Sequence, residues 1–225
     1  MTDITKKDIE IRSVDLINDF SKKVGKYISP PVPVFEIAEF LGYDIDFRKD
    51  GIYEDLNILG GLQINSKMIE INENLGKQEG RMHFTVAHEI GHLIMHTSGS
   101  KLTEQSDCKH DEGMGGSKEN ILEREADLFA AHLLMPSAEM KKAFFRMRKK
   151  PLKMTDRRLF GLLKKKRSKR QRALYVTNKI RIQGGFENVS KLAFLNRLIG
   201  LGLVRGMSYQ KNYFNHKRNQ SYEQQ

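Results

Sequence analysis

The spacing of apolar residues predicts helices alternating with short strands along the first third of the chain. Residues 13–26 carry apolar side chains at near-helical spacing after Ser13, a residue type favoured at helix N-caps. Residues 34–41 predict a second helix, which a glycine at position 42 would end. Residues 43–47 alternate like a strand, and the segment 60–72 predicts a hairpin with its turn at Asn65-Ser66.

Two longer helical patterns follow, with a polar segment between them. The first covers residues 78–96, and the second covers residues 121–135 and ends before Pro136. Residues 97–120 are polar, contain glycines and show no periodicity, which predicts a long mobile loop with a functional role or disorder. After Pro136, residues 138–145 form another amphipathic stretch.

The first of these long helices contains the motif His88-Glu89-Ile90-Gly91-His92, an H-E-x-x-H pattern. Residues four apart lie on one face of a helix, so both imidazoles can reach one small cation. Glu89 is offset from His88 by about 100° around the helix. It can therefore stand beside the ion and polarise a bound water instead of acting as a ligand. This arrangement is typical of zinc peptidases.

The second long helix supplies the carboxylates that such a site needs. Two histidines leave a zinc ion in need of a third protein ligand and an open position for water. Glu123 and Asp127 are four residues apart and can point at the same neighbour, whereas Glu125 faces elsewhere. One of the pair would bind the metal and the other would hydrogen-bond the free N–H of a ligand histidine. Their spacing does not say which does which.

The runs HEIGHLIMH and EREADLFAAHLLMP together resemble the ImmA/IrrE metallopeptidases, a family of gluzincin-type enzymes. The resemblance covers residues 30–136 firmly and residues 186–204 weakly. It is specific for metallopeptidase chemistry and does not identify one substrate.

The resemblance assigns a role to each polar residue of the two helices. It implies that His88, His92 and Glu123 bind one zinc ion and that Glu89 is the general base. Asp127 would hydrogen-bond a ligand histidine. Many family members carry Asn at this last position, whereas related membrane zinc peptidases carry Asp.

The expected fold class is α+β. The resemblance implies a zincin-like metallopeptidase core, in which a small sheet packs on the H-E-x-x-H helix and on a second metal-binding helix. A mainly helical C-terminal region would follow, including a helix-turn-helix-like unit at 186–204. We divide the chain into an N-terminal helix, the peptidase core, a basic and mainly helical segment, the helix-turn-helix-like unit and a disordered tail: 1–29, 30–136, 137–182, 183–206 and 207–225.

The positive charge of the chain is concentrated in one segment. The net charge is +11, but residues 141–181 alone contain 18 Lys or Arg and one acid, Asp156. That segment therefore carries +17, and the rest of the chain is acidic. Such a block indicates contact with nucleic acid, an acidic protein partner or a solvated extension. Aromatic residues are sparse in the segment, so stacking on nucleic-acid bases is not an obvious mode of contact.

Four further residues have chemistry that could serve the site. His96 lies eight residues after His88, about 12 Å along a helix, which is too far for both to bind one ion. A core or capping role is expected for it. Cys108 could bind zinc as an inhibitory ligand or could be an incidental loop thiol. His83 or His132 could stabilise an oxyanion, and nothing in the sequence favours either.

The sequence also bears on location. The first ten residues lack the apolar core of a signal peptide, and no apolar run approaches the roughly 20 residues of a membrane helix. A single cysteine excludes an internal disulfide framework. We therefore expect a cytoplasmic protein without a membrane segment.

These observations predict a zinc-dependent endopeptidase. Manganese is the alternative metal, because two imidazoles and one carboxylate suit several divalent ions. By resemblance, the substrate would be a helix-turn-helix repressor of the XRE type or an antitoxin, whose cleavage releases stress-response or mobile-element genes. The alternative function is a DNA-binding, metal-sensing transcriptional regulator in which the zincin-like fold is not proteolytic. Its DNA contacts would come from the basic segment and the helix-turn-helix-like unit.

Overall fold

The computed structural model of the protein describes residues 4–52, 58–75, 79–96, 106–107, 118–155 and 168–210. Over these residues the chain forms helices and two small sheets, which is the α+β class expected from the sequence. The helices are α1 (Lys6–Val24), α2 (Val34–Phe40), α3 (Glu79–His96), α4 (Lys118–Leu134), α5 (Ser137–Met147), α6 (Lys169–Gln183) and α7 (Lys191–Gly200). The strands are β1 (Asp44–Arg48), β2 (Gly60–Gln63), β3 (Met68–Asn72), β4 (Ser106–Asp107), β5 (Leu152–Lys153) and β6 (Val204–Arg205).

The larger sheet has the strand order β1-β3-β2-β4. Strands β2 and β3 form the predicted antiparallel hairpin, and β1 runs parallel to β3. Strand β4 pairs antiparallel with β2 and was not predicted, since two residues are too few to show a period. It lies in the stretch that the sequence predicts as a loop, as does the first turn of α4.

The first helix begins earlier than the sequence predicts. Thr5 is its N-cap: the Thr5 side chain accepts a hydrogen bond from the backbone N–H of Asp8, and the Asp8 carboxylate accepts one from the backbone N–H of Thr5. Ser13 is therefore not a cap. It is buried inside the helix, where its hydroxyl donates to the backbone carbonyl of Glu10.

Helix α3 is the central element of the fold. It contacts α4, α2 and the strands β2 and β3, and α4 in turn contacts α1. Its apolar side chains join those of the sheet and of the C-terminal helices in one hydrophobic core, which includes Val86, Ala87, Ile90, Leu62, Ile69, Ile71, Phe129, Leu133, Ile9, Phe186 and Phe194. A single core therefore draws on four of the five units into which we divided the sequence, and the boundaries of these units stay a prediction.

The C-terminal region includes residues 183–206, which the sequence predicts as a helix-turn-helix-like unit. That stretch contains one helix, α7, followed by β6, which pairs parallel with β5. The helix that packs against α7 is α6, which begins in the basic segment. The link between them is held by Arg181, whose guanidinium donates to the backbone carbonyls of Phe186, Glu187 and Val189.

Three predictions fall on residues outside the described ranges. These are the two alternatives for Cys108, the mobility of most of the 97–120 loop and the disorder of the tail beyond residue 210. None of the described helices is long and apolar enough to cross a membrane.

Candidate metal centre

Two imidazoles meet on the inward face of α3. His88 and His92 are one helical turn apart, and both side chains are buried. Their Nε2 atoms lie 3.0 Å from each other. The helical period alone places them side by side, as the sequence predicts.

Glu123 of α4 completes a group of three donor residues. Its Oε2 atom lies 3.2 Å from His88 Nε2, and its Oε1 atom lies 3.1 Å from His92 Nε2. The three residues offer ligand atoms that all lie within 4.8 Å of one another. Three donors that each stand about 2 Å from one tetrahedral zinc ion are separated by about 3.3 Å. The spacing and the mixed nitrogen and oxygen set therefore fit a small divalent metal.

Helix α4 can supply Glu123 because it crosses α3 at very close range. A Cβ atom on Gly91 would lie 3.0 Å from both the Cα and the backbone carbonyl oxygen of Ala126. The two small residues let the helix backbones approach, which brings the carboxylates of α4 level with the histidines of α3.

Asp127 lies against the opposite nitrogen of the first histidine. Its Oδ1 atom is 2.9 Å from His88 Nδ1, and the carboxylate is partly exposed. A carboxylate against Nδ1 favours a proton there, so that the neutral form of the His88 ring would present its Nε2 lone pair towards Glu123 and His92. The structure thus separates the two acids: Glu123 lies against the Nε2 atoms of both histidines, and Asp127 lies against Nδ1 of His88.

A second pair of residues lies behind His92. His96 is fully buried, and its Nδ1 atom is 3.1 Å from His92 Nδ1. Its Nε2 atom is 3.0 Å from Glu125 Oε2. The predicted core position of His96 agrees with this burial, but its contact with His92 and Glu125 was not predicted. The pairing joins residues 29 positions apart, so helical periodicity carries no signal for it.

Glu89 is a fully buried carboxylate of α3. Its side chain faces the start of β2, where a Cβ atom on Gly60 would lie 3.0 Å from Glu89 Oε1. The same Cβ atom would lie 2.3 Å from the Thr85 methyl group. Glycine at position 60 therefore leaves the room in which the Glu89 carboxylate fits between helix and sheet.

The comparison with known families bears directly on this arrangement. The sequence model of the peptidase M78 family, described as the IrrE N-terminal-like domain, matches residues 43–164, more than half of the chain. The protein belongs to the peptidase M78 family. This confirms the ImmA/IrrE resemblance seen in the sequence, and membership suggests a metallopeptidase. A search of curated proteins found no match.

The pKa values at the candidate site depend on the contacts between its histidines and its carboxylates. Burial works against a charge on His88, but the hydrogen bonds that its ring donates to Asp127 and Glu123, together with the nearby carboxylate charges, outweigh burial and raise the His88 pKa to about 10. Burial likewise opposes a charge on Glu123, but its contacts with His88 and His92 lower the Glu123 pKa to about 2. These contacts therefore favour the charged forms of both His88 and Glu123 at neutral pH.

Neither histidine considered for oxyanion stabilisation lies in this group of donors. The His83 Nδ1 atom lies 2.9 Å from the backbone carbonyl oxygen of Glu79, and the His83 ring packs edge-on against Phe35. His132 is buried between α1 and α7, with Nε2 3.3 Å from Arg197 Nη1.

A cleft of about 500 Å³ lies beside the first turns of α3. Apolar side chains including Leu59, Phe84 and Leu134 line it, and charged side chains including Arg81 and Lys191 lie among them. The ring of Phe84 is 6.4 Å from that of His88. The cleft therefore comes within one helical turn of the donor group, which the sequence could not show.

Proposed function

We propose that the protein is a zinc-dependent endopeptidase in which His88, His92 and Glu123 bind the metal and Glu89 is the general base. The observation that carries this proposal is that donor atoms of three residues converge in a member of a peptidase family. The Asp127 carboxylate in addition lies against the far nitrogen of His88. Zinc is proposed over manganese because nitrogen-rich, closely spaced donors suit a tetrahedral ion.

The residues divide the chemistry among them. Bound zinc would supply Lewis acidity, which polarises the peptide carbonyl and lowers the pKa of water. Glu89 takes the proton of the attacking water and passes it to the leaving amine. Asp127 keeps His88 in the tautomer that presents Nε2. The narrow space at Gly60 holds the Glu89 carboxylate in one place while it exchanges this proton.

The substrate we propose is a helix-turn-helix repressor of the XRE type or an antitoxin. The support comes from the sequence resemblance and from the +17 segment at 141–181, which suits a substrate that sits on DNA. The cleft beside α3 could receive a peptide side chain next to the bond that is cut. The cytoplasmic location predicted from the sequence is compatible with such a substrate.

The metal content of the purified protein tests the first half of the proposal. We expect one zinc per chain in the wild type and its loss in both His88→Ala and Glu123→Ala, measured by elemental analysis. His83→Ala is the matched control, because it removes a histidine of the same helix outside the donor group. Wild-type protein without metal after reconstitution would contradict the proposal.

The variant Glu89→Gln tests the second half. It should keep one zinc per chain and lose peptide cleavage by about a hundredfold to ten-thousandfold, the usual contribution of a positioned general base. The assay is cleavage of the repressor encoded nearest to the gene of this protein, followed by mass spectrometry. Full activity in Glu89→Gln would exclude Glu89 as the base, and an intact repressor with zinc-loaded wild type would exclude that substrate.

The alternative, a DNA-binding regulator, is favoured by one observation: several basic side chains around β5 are exposed, among them Lys149, Lys150 and Lys153. Deleting residues 141–181 would be a poor test, because it removes buried core residues such as Phe144 and Ile180. The sharper test replaces the three exposed lysines with glutamine.

Under the alternative, this triple variant loses affinity for duplex DNA. The slope of log affinity against log salt concentration also falls in magnitude by up to about three, because up to about three fewer counterions are released. Under the peptidase proposal, its cleavage of a free protein substrate is unchanged. Lys23→Gln, at an exposed position near the end of α1, is the control for a general loss of charge.

A further inference from the structure

The two metal-facing histidines are supported in different ways on their far sides. His88 Nδ1 meets the carboxylate of Asp127 directly, and that carboxylate is 44% exposed. His92 Nδ1 meets another imidazole, that of His96, which is 0% exposed and which in turn meets Glu125. The second arrangement is longer and almost entirely closed to water.

The donors and acceptors of this chain allow one consistent protonation pattern. If His92 presents the lone pair of Nε2 to a metal, its proton must be on Nδ1. That proton faces His96 Nδ1 at 3.1 Å, which can accept it only as an unprotonated nitrogen. The His96 proton is then on Nε2, and it faces Glu125 Oε2 at 3.0 Å, a carboxylate oxygen that accepts it. Every hydrogen bond in the chain has one donor and one acceptor.

We propose that His96 and Glu125 are positioning residues that fix the tautomer and ring orientation of His92, with Glu125 acting through His96. The inference rests on the proposed metal site but not on peptidase activity. Glu125 defines the orientation of His96, and His96 accepts the His92 proton inside the core, where hydrogen bonds are strong because water is excluded. Neither residue touches the metal.

The first test is zinc affinity, measured by competition with a chromophoric chelator and without any substrate. His96→Ala and Glu125→Ala should each weaken zinc binding by about 10–100-fold, the usual cost of losing the partner of a ligand histidine. His83→Ala is the matched control and should leave the affinity unchanged. Unchanged affinity in both the His96 and the Glu125 variants would overturn the proposal.

A conservative variant separates positioning from packing. In His96→Asn, the amide oxygen can take the place of Nδ1 and accept the His92 proton. The variant lacks the imidazole Nε2–H that donates to Glu125. We expect His96→Asn to recover part of the affinity lost in His96→Ala. If asparagine and alanine are equivalent, His96 acts through its volume and the proposal fails.

A double-mutant cycle tests the order of the chain. Glu125 is proposed to act through His96. The double variant His96→Ala with Glu125→Ala should therefore bind zinc no more weakly than His96→Ala alone. Additive losses would show that Glu125 acts separately and would overturn this part of the inference. Circular dichroism of each metal-free variant shows whether it is folded.

The wild-type protein provides a readout that does not depend on any variant folding well. In the zinc-loaded, ¹⁵N-labelled protein, a scalar coupling across the hydrogen bond should join His92 Nδ1 to His96 Nδ1. Its absence would overturn the proposal. A protein that shows this coupling and binds zinc but cleaves no peptide would refute the proposed peptidase and leave the positioning role intact.

Discussion

At the scale of single residues, the candidate site contains a pair of opposite charges on His88 and Glu123. The His88 pKa is raised to about 10 although burial opposes its charge, because Asp127 and Glu123 both hydrogen-bond its ring. Glu123 stays ionised because its pKa is lowered to about 2 by the two histidines. A metal ion that binds here must therefore replace a proton that the protein holds tightly.

This pairing predicts that zinc binding releases protons at pH 7.5. The His88 imidazolium must lose one proton, whereas Glu123 contributes none because it is already ionised. Isothermal titration calorimetry in buffers of different ionisation enthalpy measures the number released. Asp127→Asn should release fewer, since it removes a carboxylate that favours the His88 charge. A binding enthalpy that does not depend on the buffer would contradict the expected proton release.

The site residues differ in how far the sequence predicted their positions. His88, Glu89 and His92 follow from one motif and one helical period. The roles of Glu123 and Asp127 were assigned by family resemblance, because both acids have the same spacing in the chain. Glu125 was expected to face elsewhere. It does point away from the donor group, but the sequence contains no sign that it meets His96.

At the scale of elements, the site depends on the crossing of α3 and α4. Both helices were predicted from their apolar spacing, and the structure has both within a few residues of the predicted ends. The distance between them is set by Gly91 and Ala126, whose small side chains allow backbone contact. A side chain at this crossing would push Glu123 away from His88 and His92.

We therefore predict that Gly91→Val weakens both folding and metal binding. Overpacking a tight contact typically costs about 1–3 kcal/mol in the free energy of unfolding. Zinc affinity should fall as well, because the donors come from both sides of the crossing. Urea unfolding and chelator competition measure the two effects. Arg81→Val, at an exposed position of the same helix, controls for the helix propensity of valine. Wild-type zinc affinity in Gly91→Val would show that the crossing does not set the geometry.

At the scale of the whole molecule, three helices that are distant in the sequence meet at a partly buried charged group. Arg197 of α7 donates to Glu10 of α1 at 3.2 Å and to the backbone carbonyl of Met135 at the end of α4. His132 of α4 lies between them, with Nδ1 3.7 Å from Glu10 Oε2. The group ties the first and last described helices to the helix that carries Glu123.

This group predicts a loss of stability in mild acid. Burial, and then the nearby Arg197 charge, lower the His132 pKa from 6.5 to about 4. Between about pH 4 and pH 6.5, His132 binds a proton in the unfolded chain but not in the folded protein. Its contribution therefore makes the free energy of unfolding fall as the pH drops below 6.5. It has no such effect above pH 6.5.

The measurement is urea unfolding at pH 7.5, 6.5 and 5.5 for the wild type and for His132→Gln. The variant should show a flatter pH dependence across this range, whatever its stability at pH 7.5. Both proteins share the metal site, so the contribution of His88 cancels in the comparison. Parallel pH profiles would show that His132 titrates normally in the folded protein.

The sequence by itself determined the local part of this protein: the secondary-structure elements with strong periods, and the histidine pair, whose members are one turn apart on one helix. These features depend on residues that are close in the chain, where the helical period fixes the geometry. The tertiary structure alone decided which acid faces the histidines, that His96 and Glu125 lie behind His92, that β4 joins the sheet and that α6 packs with α7. Each of these depends on how two distant segments cross, and that is set by packing between segments, which no local pattern records.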